Sequence, residues 1–504
     1  MNSINRANSK TPQVNDICVA ISGNGNELKR SSSQVSSASS QSKFQRYPSI
    51  AHSRSDLSDH VLIFSVEGTV LRSSSMFPYF MLVAFEAGSF LRALILFLLY
   101  PFICFLGDDV GLKIMVMVCF FGMKKEDFRA GKAVLRKFFL EDVGLESFEV
   151  LRRSGKKVAI ELVVARDLQV CCGYFVGPME EKTKTSLDDI LDDDQKMRNK
   201  VIGIESFNKS LDQLEIYLVS EGDRRNWHQL PRDRFPRPLI FHDGRLAFRP
   251  TPLATLAMFM WVPFGIPLAL IRTLIGLSLP YNLLIPILAF IGLRLKVKNS
   301  SYVNSFSKPR RKGVLYVCNH RTFLDPLYFS FGLKKPVAAV TYSLSRVSEV
   351  LPPIRTVRLT RDRFRDAEVM DKLLKQGDMI VCPEGTTCRE PYLLRFSPLF
   401  SELSEDIVPV AMDTQVSVFY GATASGFKCL DPFFFLMNPF PCYTIQFLDK
   451  VKGGKTENWR FVMANFVQRE LGKALGFQCI GLTRKDKYLI LASNEGRVSS
   501  DKRH

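Results

Sequence analysis

Four short stretches of this 504-residue chain carry side chains that could move a proton and hold an anion. The first is Asn319-His320-Arg321-Thr322-Phe323-Leu324-Asp325, at the end of the apolar run Gly313-Val314-Leu315-Tyr316-Val317-Cys318. That run predicts a strand, with His320 in the loop that follows it. Asp325 lies five residues on, so a helix beginning between them would return the carboxylate to the imidazole. A carboxylate on one ring nitrogen sets the tautomer and supports the imidazolium. The other nitrogen can then take a hydroxyl proton. This is the logic of the serine-protease triad, with the serine replaced by a substrate's own hydroxyl. Taken alone, such spacing more often means a loop histidine capped by a nearby aspartate.

The second stretch is Val381-Cys382-Pro383-Glu384-Gly385-Thr386-Thr387-Cys388-Arg389. A strand ends in a turn where Gly385 permits close backbone approach. Thr386 and Thr387 offer hydroxyls, and Arg389 offers a planar fork for phosphate. An ordinary strand-end turn reads the same way. The third, Ile354-Arg355-Thr356-Val357-Arg358, is a basic strand in which Arg355 and Arg358 fall on opposite faces, or a solvated edge. The fourth, Ile407-Val408-Pro409-Val410, is apolar and reads as core or as the wall of an acyl pocket.

The elements that must position these groups suggest an α/β chain in several parts. Residues 1–59 are rich in Ser, Asn and basic side chains and predict a disordered tail; a transit peptide is the other reading. Residues 60–248 open on a short apolar strand closed by Gly68. Within them, residues 77–123 form an apolar insertion interrupted by Glu86 and Arg92. A tilted span, an interfacial segment and a buried helical hairpin all fit it. Residues 249–295 hold two uncharged stretches, 254–271 and 274–293, separated by Arg272 and broken by Pro263, Pro267, Pro280 and Pro286. Two membrane spans or one hairpin dipping into a leaflet are equally consistent with them. Residues 296–480 then alternate strands and helices. The stretch from residue 457 to Leu475 is read as an amphipathic helix burying Trp459, Val462, Met463, Phe466, Leu471 and Leu475. Residues 481–504 read as a tail.

A net charge of +18 suits an anionic partner. Charge alone would allow nucleic acid, but the apolar stretches argue against it. The eleven cysteines include no CxxC pair and no zinc spacing, so no metal or redox cofactor is implied.

In this order, the four stretches resemble the blocks of the glycerolipid acyltransferases: NH-x4-D, a strand with an arginine, PEGT, then VPV. The match narrows at Phe77-Pro78-Tyr79-Phe80-Met81-Leu82 and at Phe241-His242-Asp243-Gly244-Arg245-Leu246. Those stretches look like the land-plant glycerol-3-phosphate acyltransferases, some of which make cutin or suberin precursors. The likeness runs over about residues 60–495. It implies an N-terminal Rossmann-like domain of the haloacid-dehalogenase type, a membrane hairpin and a C-terminal αβ acyltransferase domain. It implies His320 as base with Asp325 behind it. Arg358, Glu384, Gly385 and Thr386 would hold glycerol 3-phosphate, with Arg355 and Arg389 as weaker additions.

The resemblance also exposes a departure. Phosphatases of that type use a DxDGT loop, and here it reads Ser65-Val66-Glu67-Gly68-Thr69. A serine without a base cannot replace the nucleophilic carboxylate, and it is a poor magnesium ligand. The matching downstream region, Gly203 to Ser210, keeps only Glu205 as an acid. The phosphatase half is therefore expected to be inactive, and the product to keep its phosphate. The acyl donor would be acyl-CoA or acyl-ACP. The setting would be a bilayer, that of the endoplasmic reticulum on the family likeness, with a mitochondrial one as the alternative. Rival readings are a lysophospholipid acyltransferase and a catalytically dead membrane scaffold.

Overall fold

The structure is a computed structural model. It describes residues 44–46, 61–64, 66–153, 167–180, 201–205, 215–235, 239–298, 313–341, 354–360, 362–404, 406–424, 427–452 and 459–493. The chain divides into two compact units. One ends at His242 and also takes Pro250–Pro252; the other holds Asp243–Arg249 and everything from Leu253 onward. The boundary thus falls earlier than the expected residue 248. Asp243–Arg249 belongs to the second unit because its backbone bonds there: Ala247 N donates to Val418 O, and Tyr420 N to Arg245 O.

The first unit carries a parallel four-stranded sheet and an antiparallel hairpin. The sheet strands are β1 (Phe44–Arg46), β2 (Val61–Phe64), β5 (Val201–Glu205) and β6 (Glu215–Leu218), in the order β1-β6-β5-β2. The hairpin joins β3 (Asp167–Cys171) and β4 (Tyr174–Glu180). Phe44–Arg46 lies inside the expected disordered tail, yet it pairs with Ile216–Leu218. Edge-strand pairing uses main-chain groups, which composition does not reveal. The rest of that tail lies outside the described residues. So does Ser65, which falls between β2 and the helical turn Val66–Thr69.

The apolar insertion folds into α1 (Phe77–Val83), a π turn, α2 (Phe90–Phe105) and α3 (Asp108–Phe120), and is followed by α4 (Phe128–Asp142). At 16 residues, α2 is about 24 Å long, short of a hydrocarbon core of about 30 Å. Arg92, a charge inside an apolar run, donates to Val118 O and Cys119 O at the end of α3 and ties the two helices together. Ala93 and Leu96 face inward, while Leu91, Leu98, Phe102 and Phe105 are exposed. The insertion is therefore a helical pair with one uncovered apolar face rather than a wholly buried one.

The second unit is built on a mixed sheet. Its strands are β7 (Arg294–Lys298), β8 (Leu315–Cys318), β9 (Ala338–Thr341), β10 (Thr356–Arg358), β11 (Met379–Val381), β13 (Asp406–Gln415) and β14 (Cys442–Phe447). Their order is β10-β9-β11-β8-β13-β14-β7. β12 (Tyr392–Leu393) lies apart, and β15 (Val451–Lys452) pairs with β13. Central β8 runs parallel to β11 and to β13. Both faces of β8 are buried, as a parallel sheet requires. Tyr316 and Cys318 pack with Leu284, Leu288, Phe329 and Phe331 on one side. Leu315 and Val317 pack with Met370, Leu374, Met463 and Leu471 on the other.

On the membrane-like stretch α5 spans Pro252–Ser278 and α6 spans Tyr281–Phe290; α7 is Asp325–Leu333, α8 Arg363–Gln376, α9 Trp459–Leu475 and α10 Arg484–Ser493. Those flanking residues come from α6 and from three later helices, α7, α8 and α9. At 27 residues, α5 is about 40 Å long and is apolar enough to cross a membrane. The second uncharged stretch, 274–293, is not one continuous helix. Residues 274–278 extend α5, Pro280 breaks the helix, and Leu284 and Leu288 of α6 are buried in the core. On α9 the buried stripe is Met463, Ala464, Val467, Gln468, Leu471 and Gly472. The expected face was rotated: Val462 is 52% exposed and Phe466 38%. Gln468 turns inward because its amide donates to Leu393 O and Leu394 O.

Arg272 does not mark a helix end. Its guanidinium is buried within the second unit and donates to Leu436 O (2.7 Å), Asn438 O (2.6 Å), Ile291 O (2.5 Å) and Pro439 O (2.9 Å). Arg272→Ala should leave these carbonyls without donors and lower stability by about 2–4 kcal/mol, read as a fall in Tm of the detergent-solubilised protein. An unchanged Tm would deny the clamp.

Candidate active site

The carboxyl ends of β8 and β11 lie side by side, Val317 opposite Val381, so the loops that follow them meet. Ligands bind at such strand ends in α/β sheets. The β8 loop carries His320, and the β11 loop carries Cys382 through Thr387.

Asp325 organises the first loop. It begins α7, and no part of it reaches solvent. Its Oδ2 accepts from His320 Nδ1 (2.9 Å), Arg321 N (2.6 Å) and Thr322 N (3.0 Å). Its Oδ1 accepts from Tyr443 Oη (2.7 Å), on β14, and from Thr322 Oγ1 (3.3 Å). The donors and the positive end of α7 offset the cost of burying the charge. With Nδ1 held, Nε2 is the nitrogen available for proton transfer.

Further braces hold the loops to each other and to β13. Asn319 makes a reciprocal pair with the backbone of Met412, its Nδ2 on the carbonyl and its Oδ1 on the amide, each at 2.8 Å. Glu384 Oε1 accepts from His320 N (2.8 Å) and Oε2 from Leu394 N (3.1 Å). Arg321 donates to Cys388 O and Glu390 O, and Cys388 N donates to His320 O.

A cavity of about 410 Å³ opens in front of His320, within the size range of small-molecule sites. One part is apolar, with Leu270 and Leu277 of α5, Leu288, Leu293, Ile354 and Met370. The other is polar, with Gly385, Thr386, Thr387, Lys428, Arg484 and Tyr488. Gly385 takes a φ of 66°, the left-handed conformation its turn requires.

The expected residues separate. His320, Gly385 and Thr386 line the cavity, and Asp325 stands directly behind His320. Glu384 is buried behind the wall as a brace. Arg358 ends β10 in an exposed position outside the lining, although Thr356 and Leu359 belong to it. Arg355 is exposed and donates to Gln376. Arg389 donates to Gly244 O and Ala422 O and lies over the Tyr420 ring, so it holds the second unit together. Glu67 has no described side chain.

Three groups were missed. Tyr443 is 118 residues from its partner Asp325, and no local pattern signals the pairing. Cys382 lines the cavity, with Sγ 3.3 Å from Cys318 Sγ across the paired strands. The third is α10, whose residues had read as tail. Its Arg484 and Tyr488 reach the cavity.

The charges are coupled. Burial pulls the imidazole of His320 down, but the Cys382 thiolate and the Asp325 carboxylate outweigh it and hold the ring well above its ordinary range. The Cys318 thiol and the imidazolium pull Cys382 down to about 6 against its own burial. Burial pushes Glu384 up to about 7, although His320 N and Leu394 N oppose it.

Only the neutral imidazole accepts a proton. Then kcat/KM should rise with pH through a limb above the ordinary histidine value of about 6.5. Asp325→Asn removes a group that raises the pKa, so the limb should move to lower pH while kcat falls; a wild-type limb at or below the ordinary value would contradict this. Glu384→Gln turns an amide NH₂ towards one of two buried N–H groups. It should cost about 1–3 kcal/mol in Tm-derived stability and lower kcat with the acceptor KM unchanged. A selective rise in that KM would put Glu384 on the substrate instead.

Residues 61–161 match the model of the HAD-like domain of RAM2-like glycerol-3-phosphate acyltransferases, and residues 294–413 match the acyltransferase model. The chain is 55% identical to the Arabidopsis thaliana protein "Probable glycerol-3-phosphate acyltransferase 3", over 92% of this chain and 95% of that one. It is 43% identical to Arabidopsis thaliana "Glycerol-3-phosphate acyltransferase 1", over 88% and 83%. Among solved structures, a 1-acyl-sn-glycerophosphate acyltransferase, PlsC, from Thermotoga maritima matches with a TM-score of 0.27 and 15% identity, over 44% of this chain and 91% of that one. The protein is an acyltransferase, and it belongs to the land-plant glycerol-3-phosphate acyltransferases that join a HAD-like domain to an acyltransferase domain.

Proposed function

We propose that this protein transfers a fatty acyl group from a thioester, acyl-CoA or acyl-ACP, to a hydroxyl of glycerol 3-phosphate. The product is a lysophosphatidic acid that keeps its phosphate. The observation that carries this reading is the His320–Asp325 pair on the wall of a cavity lined both by apolar side chains and by the cations Arg272, Lys428 and Arg484. Such a cavity suits a reaction that joins a hydrocarbon chain to a phosphorylated polyol. The names of the relatives favour glycerol 3-phosphate as the acceptor.

In the proposed chemistry, His320 Nε2 removes the proton from a glycerol hydroxyl as its oxygen attacks the thioester carbonyl. The tetrahedral oxyanion collapses, the C–S bond breaks, and the imidazolium returns its proton to the departing thiolate. Asp325 stabilises the imidazolium between the two transfers. Cys388 N on His320 O and Glu384 on His320 N fix the backbone under the ring, so the base is oriented before substrate arrives. Leu270 and Leu277 bring α5, the helix long enough to span a bilayer, to the apolar side of the cavity. An acyl chain could enter there from the membrane, which in this reading is that of the endoplasmic reticulum. Retention of phosphate rests on Ser65, which stands where the phosphatase nucleophile would be a carboxylate.

The test is an assay of the membrane-embedded or detergent-solubilised protein with radiolabelled glycerol 3-phosphate and a panel of acyl-CoAs. Labelled lysophosphatidic acid is expected, with no Ser65-dependent release of inorganic phosphate. His320→Ala should lower kcat about 10²- to 10⁴-fold. Full activity in that variant, or acylation of lysophosphatidic acid but not of glycerol 3-phosphate, would overturn the reading.

A further inference from the structure

The polar side of the cavity holds a group of side chains outside the four sequence blocks. The lining of the whole cavity includes the basic side chains Arg272, Lys428 and Arg484 and, among the described residues, no aspartate or glutamate. Arg272 is engaged with four main-chain carbonyls at the α5 end. Lys428 and Arg484 line the cavity and are linked to the Pro-Glu-Gly-Thr turn through Tyr488. Each sits 5.8 Å from the centroid of the Tyr488 ring. The Tyr488 hydroxyl is 3.3 Å from Thr386 Oγ1. The preceding residue, Lys487, is buried and donates to Thr387 O, which pins α10 against the turn. Arg484 is the first residue of this ten-residue helix, so the positive end of the helix dipole adds to the two side chains. The nearest acid of α10, Asp486, turns back to accept from Thr483 N and Oγ1 and is not in the lining. Burial pushes the Tyr488 phenol up, yet the Thr386 hydroxyl and the charges of Lys428, Lys487 and Arg484 bring it below its ordinary value.

We propose that Arg484, Lys428 and the hydroxyls of Tyr488 and Thr386 form the phosphate-binding subsite of this cavity, supplied by the C-terminal helix rather than by Arg358, Arg355 or Arg389. This rests on the acyl-transfer reading above for its place in a reaction, but not for binding itself. The ligand chemistry is a phosphate ester. Arginine supplies a bidentate fork, lysine a point charge, and the two hydroxyls supply neutral donors. The ester can belong to the polyol acceptor or to the phosphates of coenzyme A.

The experiment uses the full-length protein and the variants Arg484→Ala, Lys428→Ala and Tyr488→Phe, with Arg484→Lys as the charge-retaining control. Initial rates are taken against glycerol 3-phosphate at saturating acyl-CoA, and the reverse. Loss of one charged hydrogen-bonding group should raise KM for glycerol 3-phosphate about tenfold to hundredfold with kcat retained, and Arg484→Lys should recover part of it. A rise in KM for acyl-CoA alone would keep the subsite and assign it to coenzyme A. Calorimetric titration of His320→Ala with glycerol 3-phosphate, with and without Arg484→Ala, reads the subsite without turnover. Inorganic phosphate serves there as competitor. If His320→Ala turns over normally, the acyl-transfer reading falls while this titration still judges the subsite. Unchanged KM values and unchanged binding in variants that keep the wild-type Tm would overturn the proposal. Should Arg484→Ala not fold, Tyr488→Phe and Arg484→Lys carry the same comparison.

Discussion

A single buried carboxylate sets the geometry of the second unit's chemistry. Asp325 is out of contact with water, so its charge must be met by protein. The groups that meet it come from the β8 loop, the start of α7 and the far strand β14. Removing any of them leaves a charge short of a partner. The arrangement therefore holds the loop, the helix and the strand in one register, and the orientation of His320 follows from it.

The sheet makes this possible. Two parallel strands at its centre deliver two loops to the same edge, and side chains sew those loops to each other and to β13. Glu384 of the Pro-Glu-Gly-Thr turn has a structural place in this setting. It faces two backbone amides rather than the cavity, and it acts by fixing what lies on the other side of the wall. The cavity then joins regions of opposite polarity across one histidine. The apolar part is drawn from α5, α6 and the sheet, and the cationic part from the turn and α10.

The first unit shows a different balance. It carries a parallel sheet, and in the sequence that follows β2 a serine, Ser65, stands at the position of the first carboxylate of the DxDGT pattern. The helical pair α2–α3 exposes Leu98, Phe102 and Phe105, and no membrane-spanning length is reached there.

The sequence by itself determined the α/β alternation, the placement of His320 at a strand end, the five-residue step to Asp325 and the glycine turn at Gly385. These are local properties: hydropathy period, turn chemistry and spacing along one segment carry them. It also marked α5 as long and apolar. Only the tertiary structure decided which polar groups face the cavity. Arg389 and Arg355 are chemically able to hold a phosphate, and Glu384 a glycerol hydroxyl, but their partners, Ala422, Gln376 and Leu394, turn them elsewhere. Arg484 and Tyr488 sit in a segment that reads as a tail, and Tyr443 lies far along the chain from Asp325. The physical reason is common to all of them. A charged side chain goes where its hydrogen bonds can be completed, and the groups that complete them are set by long-range packing rather than by neighbours in sequence.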